Sequence, residues 1–343
     1  MSMAPVTAVN WIRRLALLGA VLCLGVVILG GYTRLSNSGL GCPDWPGCFG
    51  HIAPTGSAEH YASDLDVRKA WVEMIHRYFA STLGLIILAI AFLSFRVRHQ
   101  RGVKLGLSLF LVMLVMFQGW LGMLTVTWLL KPLIVTGHLL GGLTTFALLL
   151  WLWLSAHARQ RPVDGFTVLS GNTLVESGRG ARLAAGLASA ALFVQIFLGG
   201  WTSSNYAAVA CPDLPRCQNQ WVPEADYADA FVLWRGLGIN YAGGVLDHPA
   251  RVAIHFTHRV GAVVASLLLI LAACMAFRGL GSGPRWAGIW VLAALATQIS
   301  IAVFMVLETF PLALAAAHNA GAALLVAATV YLNRKLRPIK DFR

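Results

Sequence analysis

The stretch LALLGAVLCLGVVILGGYTRLSNSGLGCPDWPGC, residues 15–48, joins an apolar run of membrane-spanning length to a short loop between two cysteines. A related stretch, GGWTSSNYAAVACPDLPRC at residues 199–217, repeats the glycine pair and the CPDxPxC loop. Both features recur at an offset of 169 residues. A membrane segment and its loop therefore occur twice, which indicates a duplicated membrane protein.

The composition favours a chain that lies largely in lipid. Of its 343 residues, 58% are hydrophobic and only 12% are charged, which is unusual for a soluble domain. Eight stretches are long and apolar enough to cross a bilayer as helices. They lie at roughly 15–35, 75–95, 105–126, 132–154, 183–203, 254–277, 286–307 and 312–332. The first has no small-residue cleavage site before its glycine pair, so we interpret it as a retained helix rather than a signal peptide.

The net charge of +12 indicates orientation rather than nucleic-acid binding. If the N-terminus is cytoplasmic, most lysines and arginines fall in cytoplasmic segments and most acidic residues fall outside. This is the positive-inside pattern of membrane proteins. It predicts a multi-pass protein of the bacterial inner membrane with both termini in the cytoplasm.

On this topology both CPDxPxC loops emerge on the outer, oxidising face, where thiols usually pair. The short proline-containing loops favour disulfides between Cys42 and Cys48 and between Cys211 and Cys217. The alternative is a zinc site that takes all four cysteines and joins the loops.

Later landmarks extend the repeat. His76 matches His258 at an offset of 182 residues, and His138 matches His318 at an offset of 180. The two halves cross the membrane in the same direction, so the repeat is parallel.

The predicted fold is an all-α membrane protein whose eight transmembrane helices form two pseudo-symmetric four-helix bundles. We expect an N-terminal half at 1–154, a cytoplasmic linker at 155–182 and a C-terminal half at 183–343.

The four repeated histidines are predicted to lie near the outer ends of helices. His138 follows Pro132 by six residues and His318 follows Pro311 by seven, which places each imidazole about 10 Å into its helix. Paired imidazoles on facing helices, with small residues beside them, are typical of bis-histidine haem ligation. The alternatives are a hydrogen bond from each histidine to a carbonyl, or a bare transition metal, for which few further ligands are present.

The residues around the first histidine of each half add two predictions. Arg77 and Arg259 could pair with haem propionates or extend to lipid headgroups. Three residues before the histidine stands Glu73 in the first half and His255 in the second. Because residues i and i+3 share a helix face, Glu73 should point toward whatever His76 binds.

A carboxylate at the membrane edge is costly unless it is functional or paired. The alternative role of Glu73 is therefore an interfacial ion pair with Arg77 or Arg68. The difference between Glu73 and His255 suggests that one half reacts while the other holds a permanent cofactor. The sequence alone assigns no role to His255.

Five motifs together resemble the haem A synthase family over nearly the whole chain. They are GGYTRLSNSGLGCPDWPGC at 30–48, EMIHR at 73–77, TGHLL at 136–140, HFTHR at 255–259 and AAAHN at 315–319. Each motif is weak alone, and the set is specific.

The resemblance implies an oxidoreductase that converts the C8 methyl group of haem O to a formyl group, giving haem A for terminal oxidases. His76 and His138 would flank the substrate haem, and Glu73 would be the catalytic carboxylate that accepts a proton or orients water at the methyl group. His258 and His318 would be the axial ligands of a haem b cofactor through its iron.

The same resemblance implies that the two cysteine pairs brace the outer rim of each haem pocket, with a redox role for the first pair as the alternative. Haem O is the implied substrate and membrane lipid the surroundings. Haem O synthase, an electron acceptor and a second copy of the chain are further expected partners.

Two other functions fit parts of the pattern. A di-haem b electron-transfer cytochrome would hold two equivalent haems and alter neither. A transporter could use the parallel repeat, but transporter sites typically lie at broken helices near the midplane of the bilayer, whereas these histidines are predicted nearer the outer face.

Overall fold

The computed structural model describes residues 5–54, 64–100, 103–157, 172–278 and 281–337. Within these ranges the chain is almost entirely helical and contains no β-strand. The helices are α1 (Pro5–Leu35), α2 (Asp64–Arg96), α3 (Leu105–Thr127), α4 (Pro132–His157), α5 (Asn172–Ser204), the single turn α6 (Tyr227–Ala230), α7 (His248–Ala276), α8 (Ser282–Leu307) and α9 (Leu312–Leu336).

Eight of these helices, all except α6, are long and apolar enough to cross a membrane. This confirms the predicted number of spans. Continuous helices satisfy their own backbone hydrogen bonds, which a bilayer core requires because it offers no water. Large apolar side chains such as Phe92 and Leu267 lie exposed on the outer surface of the helices, as lipid contact allows.

Three helices begin at least ten residues earlier than the apolar pattern predicts. Helix α1 begins at Pro5 rather than near 15, α2 begins at Asp64 rather than near 75, and α5 begins at Asn172, inside the predicted linker 155–182. Hydropathy detects only the part of a helix that lies in lipid, so a polar first turn escapes it. Residues 158–171 of the predicted linker lie outside the described residues.

The same set of helix neighbours occurs in both halves. In the N-terminal half α1 and α3 each contact α2 and α4, and in the C-terminal half α5 and α8 each contact α7 and α9. The halves meet through α1 with α9, α4 with α5, and α4 with α9. This recurrence supports two pseudo-symmetric bundles, which stay a prediction.

Small side chains bring helices of the C-terminal half close together. Ala184 and Ala188 of α5 are buried in one cluster with Ala272 and Ala276 of α7. Between membrane helices, association depends on close packing rather than on the hydrophobic effect, so small residues at the contact strengthen it.

Both CPDxPxC loops close with a disulfide. Cys42 is bonded to Cys48, and Cys211 is bonded to Cys217. The predicted pairing is confirmed, and the four thiols are therefore not available for the alternative zinc site.

An aspartate organises each loop from within. Asp44 accepts hydrogen bonds of 2.7 Å from the backbone N–H groups of Phe49 and Gly50. In the second loop Asp213 accepts hydrogen bonds of 2.6 and 2.8 Å from the backbone N–H groups of Gln218 and Asn219. Partial burial opposes ionisation of Asp44, but the bonds from Gly50 and Phe49 and the attraction to Arg77 outweigh it and hold its pKa below the usual value. The two loops thus share one hydrogen-bonding plan.

A segment of the C-terminal half, residues 231–247, lies against the connection between α3 and α4. Lys131, of which only 1% is exposed, donates a hydrogen bond to the carbonyl of Arg235 and lies 3.3 Å from the centre of the Trp234 ring. The backbone N–H of Tyr241 donates to the carbonyl of Leu129 at 3.1 Å. These contacts join the two halves at the end of the bundle that carries the disulfide loops, called the loop end below.

We predict that Lys131→Met releases this segment, because the variant loses a charge-assisted hydrogen bond and a cation–π contact, each worth about 1–3 kcal/mol. The amide of Tyr241 should then exchange with solvent about tenfold faster or more in hydrogen-exchange mass spectrometry. Lys69→Met removes a lysine whose ion pair with Asp66 is exposed, and it should leave that exchange unchanged. Equal exchange in both variants would contradict the assignment.

Candidate functional site

A cavity of about 930 Å³ lies in the N-terminal half. Its lining includes four predicted site residues, Glu73, His76, Arg77 and His138. The other half closes one side of it through Gly200 of α5 and Asn319 of α9. Its volume lies within the range of about 300–1,000 Å³ that is usual for small-molecule and cofactor sites.

The two histidines of this cavity face one another. The ring centres of His76 and His138 are 6.4 Å apart, with the ring planes at 80°. In each ring Nδ1 is buried and has no hydrogen-bond partner among the described residues. Metal–imidazole bonds are about 2 Å long, so a metal between two imidazoles separates the ring centres by about 6 Å. The observed spacing fits an iron held between the two rings.

Glycine leaves the space that the imidazoles occupy. A Cβ atom at Gly30 would lie 2.8 Å from Cε1 of His76, closer than side chains pack without a shift. In the second half a Cβ at Gly199 would lie 3.1 Å from Cε1 of His258. The first glycine of each repeated pair therefore makes room for the histidine of its own half.

The second glycine of each pair makes room for the opposite half. A Cβ at Gly31 would lie 2.7 Å from Nδ2 of Asn319, which follows His318. A Cβ at Gly200 would lie 3.1 Å from Cδ2 of Leu139, which follows His138. The two halves thus touch beside their histidines.

Glu73 is buried, with 4% of the residue exposed, and its carboxylate has two partners. The backbone N–H of Cys42 donates to Oε2 at 3.0 Å, and Nη2 of Arg77 donates to Oε1 at 2.5 Å. The ion pair with Arg77 that the sequence left as an alternative is therefore present. Glu73 also lines the cavity, so the pair forms part of its wall.

The two predicted propionate-binding arginines bind their loops. Nη1 of Arg77 donates to the carbonyl of Asp44 at 2.9 Å. Nη1 of Arg259 donates to the carbonyl of Asp213 at 2.7 Å, and its Nη2 donates to that of Cys211 at 2.7 Å. Their contact with propionates stays a prediction.

His255 occupies in the second half the place that Glu73 has in the first. Nε of Arg259 donates to Nε2 of His255 at 3.2 Å, and the backbone N–H of Cys211 lies 3.4 Å from Nδ1. A neutral imidazole can accept at only one nitrogen, so the shorter contact with Arg259 is the stronger one. His255 therefore contacts the second disulfide loop mainly through Arg259, which donates to the carbonyls of Asp213 and Cys211.

The histidines of the C-terminal half lie against glutamines. The side-chain nitrogen of Gln195 is 3.0 Å from Nδ1 of His258, and that of Gln298 is 3.2 Å from Nδ1 of His318. The residue equivalent to Gln195 in the first half is Val26, which lines the cavity. Gln298 has an equivalent in the first half, Gln118, so the surroundings of the two histidine pairs differ at the position of Gln195.

Sequence reasoning missed two residues of these sites, Gln195 and Arg34. Arg34 lines the N-terminal cavity, donates through Nη2 to the carbonyl of Ser203 at 2.8 Å and lies 4.2 Å from the centre of the Tyr206 ring. A comparison of the two repeats could have identified both residues. The offset of 169 residues pairs Arg34 with Ser203 and Gln195 with Val26, so each marks a chemical difference between the halves.

Comparison with known proteins matches residues 13–330 to the family of the cytochrome oxidase assembly protein COX15-CtaA. A haem A synthase of Shewanella oneidensis is 42% identical over 335 residues, which cover 94% of this chain and 95% of that protein. Haem A synthases of Rhizorhabdus wittichii and Halalkalibacterium halodurans are 27% and 25% identical and cover 97% and 93% of the chain. The similarity therefore includes both halves.

We predict that Gly30→Ala disturbs the first site, because the new methyl group must displace His76 at a cost of about 1–3 kcal/mol. Gly25→Ala in the same helix meets no atom within 4 Å, and it should be neutral or stabilising by about 0.5–1 kcal/mol. Thermal unfolding of the purified protein in detergent measures both. Equal melting temperatures for the two variants would show that Gly30 is not needed for the packing of His76.

Proposed function

The chain belongs to the haem A synthase family, COX15-CtaA, and from this premise we propose that it oxidises the C8 methyl group of haem O to a formyl group. The N-terminal cavity is the proposed substrate site. The observation that carries this assignment is the pair of imidazoles, His76 and His138, whose ring centres face each other 6.4 Å apart on its wall.

The C-terminal half is the proposed site of a resident haem b, held by His258 and His318. When bound, haem iron supplies the electron-removing chemistry that side chains lack. Gln195 and Gln298 support this assignment, since a neighbour that orients a ligand imidazole strengthens the site.

Glu73 is the proposed catalytic residue. Oxidation of a methyl to a formyl group removes hydrogen from the carbon and adds an oxygen atom, so a base beside the carbon assists the reaction. Glu73 lies on the cavity wall, and Arg77 and the N–H of Cys42 hold its carboxylate in place. From that position we assign it the acceptance of a proton or the orientation of water at the methyl group.

The two disulfide loops are proposed to brace the rim of each site, since Arg77 and Arg259 fasten them to α2 and α7. A redox role for Cys42 and Cys48 is the second candidate. A di-haem cytochrome with two equivalent sites would not require the exchange of Glu73 for His255. A transporter would be expected to have broken helices, whereas the eight spans are continuous helices.

The proposed setting is the bacterial inner membrane, with both termini in the cytoplasm and the loop end outside. The excess of lysine and arginine in the segments at the opposite end supports this orientation. The proposed partners are haem O synthase, which supplies the substrate, and an electron acceptor. A homo-oligomer stays a prediction.

We predict that Glu73→His keeps the packing of the first disulfide loop and loses catalysis, because histidine occupies the equivalent position in the second half. The variant should keep bound haem b, as its Soret absorption would show, and should accumulate haem O or a partly oxidised product in place of haem A. Glu73→Gln, which keeps the shape but not the charge, should behave in the same way. Extraction of the haems and their identification by mass spectrometry measures both.

The reciprocal variant His255→Glu is the matched control, since it changes the same position in the half that is not expected to react. It should still form haem A. Normal haem A formation by Glu73→His would limit Glu73 to bracing the loop and would remove it from the mechanism.

We predict that the two histidine pairs hold different haems. His258→Ala should remove haem b from the purified protein, because it deletes an axial ligand of the resident cofactor. His76→Ala should retain haem b and lose haem O and haem A. Loss of the same haem type in both variants would favour the di-haem cytochrome.

A further inference from the structure

We propose that Arg34 binds a propionate carboxylate of the substrate haem in the N-terminal cavity and thereby sets which edge of the porphyrin faces the loop end. The inference rests on the proposed function, because it takes the cavity as the haem O site. It adds a substrate-positioning residue to the two predicted arginines, Arg77 and Arg259.

The position of Arg34 on α1 matches such a role. It follows Gly30 by four residues, so both lie on one face of the helix. Gly30 marks the level of the His76 ring, since a Cβ there would lie 2.8 Å from Cε1. Four residues advance a helix by about 6 Å. Arg34 therefore lies one turn from the imidazole toward the loop end, at the level of an edge of a porphyrin centred on His76.

Charge balance in the cavity points to an anion beside Arg34. The other charged side chains of the lining, Asp44, Glu73 and Arg77, are engaged, since Asp44 binds two loop amides and Glu73 binds Arg77. Among the described lining residues, Arg34 has no carboxylate within ion-pair distance. Haem O carries two propionates, which are carboxylates of the required charge.

The contacts of Arg34 hold its guanidinium in place and leave a donor free. Nη2 donates to the carbonyls of Ser203 and Ser204, and the group stacks on Tyr206. Nε is buried and has no hydrogen-bond partner in the described part of the chain. Capping of the end of α5 explains the Nη2 contacts but leaves Nε unexplained. A buried donor without a partner is destabilising, and a carboxylate bound to the guanidinium would supply the missing acceptor.

Only the N-terminal half has an arginine at this position of the repeat. The residue equivalent to Arg34 is Ser203, and its carbonyl is the group that Arg34 binds. The C-terminal half therefore has no arginine at this level of α5. A positioning cation that is found only in the half with the proposed substrate site is consistent with a haem that must be oriented for reaction at one methyl group.

The test compares haem O with its dimethyl ester, in which both propionates are neutral. Each is titrated into the purified full-length protein with its resident haem, and binding is followed by the Soret difference spectrum. The signal that His76→Ala abolishes defines the first site. The wild type should prefer the diacid by about tenfold, which corresponds to about 1.4 kcal/mol. Arg34→Met should reduce this ratio to about one, and Arg34→Lys should retain part of it.

Arg216→Met is the matched control, because it removes an exposed arginine of the second loop and should keep the wild-type ratio. If Arg34 only caps α5, Arg34→Met will weaken diacid and diester alike, and the unchanged ratio will overturn the inference alone. If the wild type shows no His76-dependent binding of either compound, the proposed substrate site fails, and the inference fails with it.

Discussion

The attachment of an outer loop to a membrane helix by one arginine is the interaction on which each site depends. Arg77 on α2 and Arg259 on α7 donate to carbonyls of the disulfide loop of their own half. Each arginine directly follows the first histidine of its half. One helix turn therefore carries both a proposed haem ligand and the arginine that binds the disulfide loop. A movement of the loop is thus coupled to the position of the histidine.

Duplication preserved this attachment while the chemistry beside it diverged. Beside the arginine stands the carboxylate of Glu73 in the first half and the imidazole of His255 in the second. Each lies near the backbone N–H of the first cysteine of its loop, Cys42 or Cys211. Because each side chain accepts a hydrogen bond from the arginine of its own half, the exchange of Glu73 for His255 keeps the contact with that arginine and changes the charge at the site. Two further exchanges, Val26 for Gln195 and Arg34 for Ser203, lie near the same histidines. These three exchanges lie beside the proposed haem ligands.

Hydropathy in the sequence was sufficient to predict the eight spans, and the location and spacing of the loop cysteines were sufficient to predict the disulfides. The histidine pairs stay a prediction as haem ligands. The polar first turns of α2 and α5 were not predictable in this way, because apolar content marks only the part of a helix in lipid. The role of His255 depends on a loop that is distant in the sequence, so no local pattern contains it. Arg34 and Gln195 lay within quoted or aligned segments, but their meaning appears only when the halves are compared at the residues that differ.

The glycine pairs have a consequence for how such a protein can evolve. Gly31 accommodates Asn319 and Gly200 accommodates Leu139, so each half presses on the other beside its histidine. A larger side chain on either side of these contacts requires a smaller one on the opposite side. In a hybrid that joins the halves of two relatives, the residues at these contacts between the halves would not match in size. The contact surfaces therefore couple the shape of one half to that of the other, while the chemistry beside each histidine is not coupled in this way.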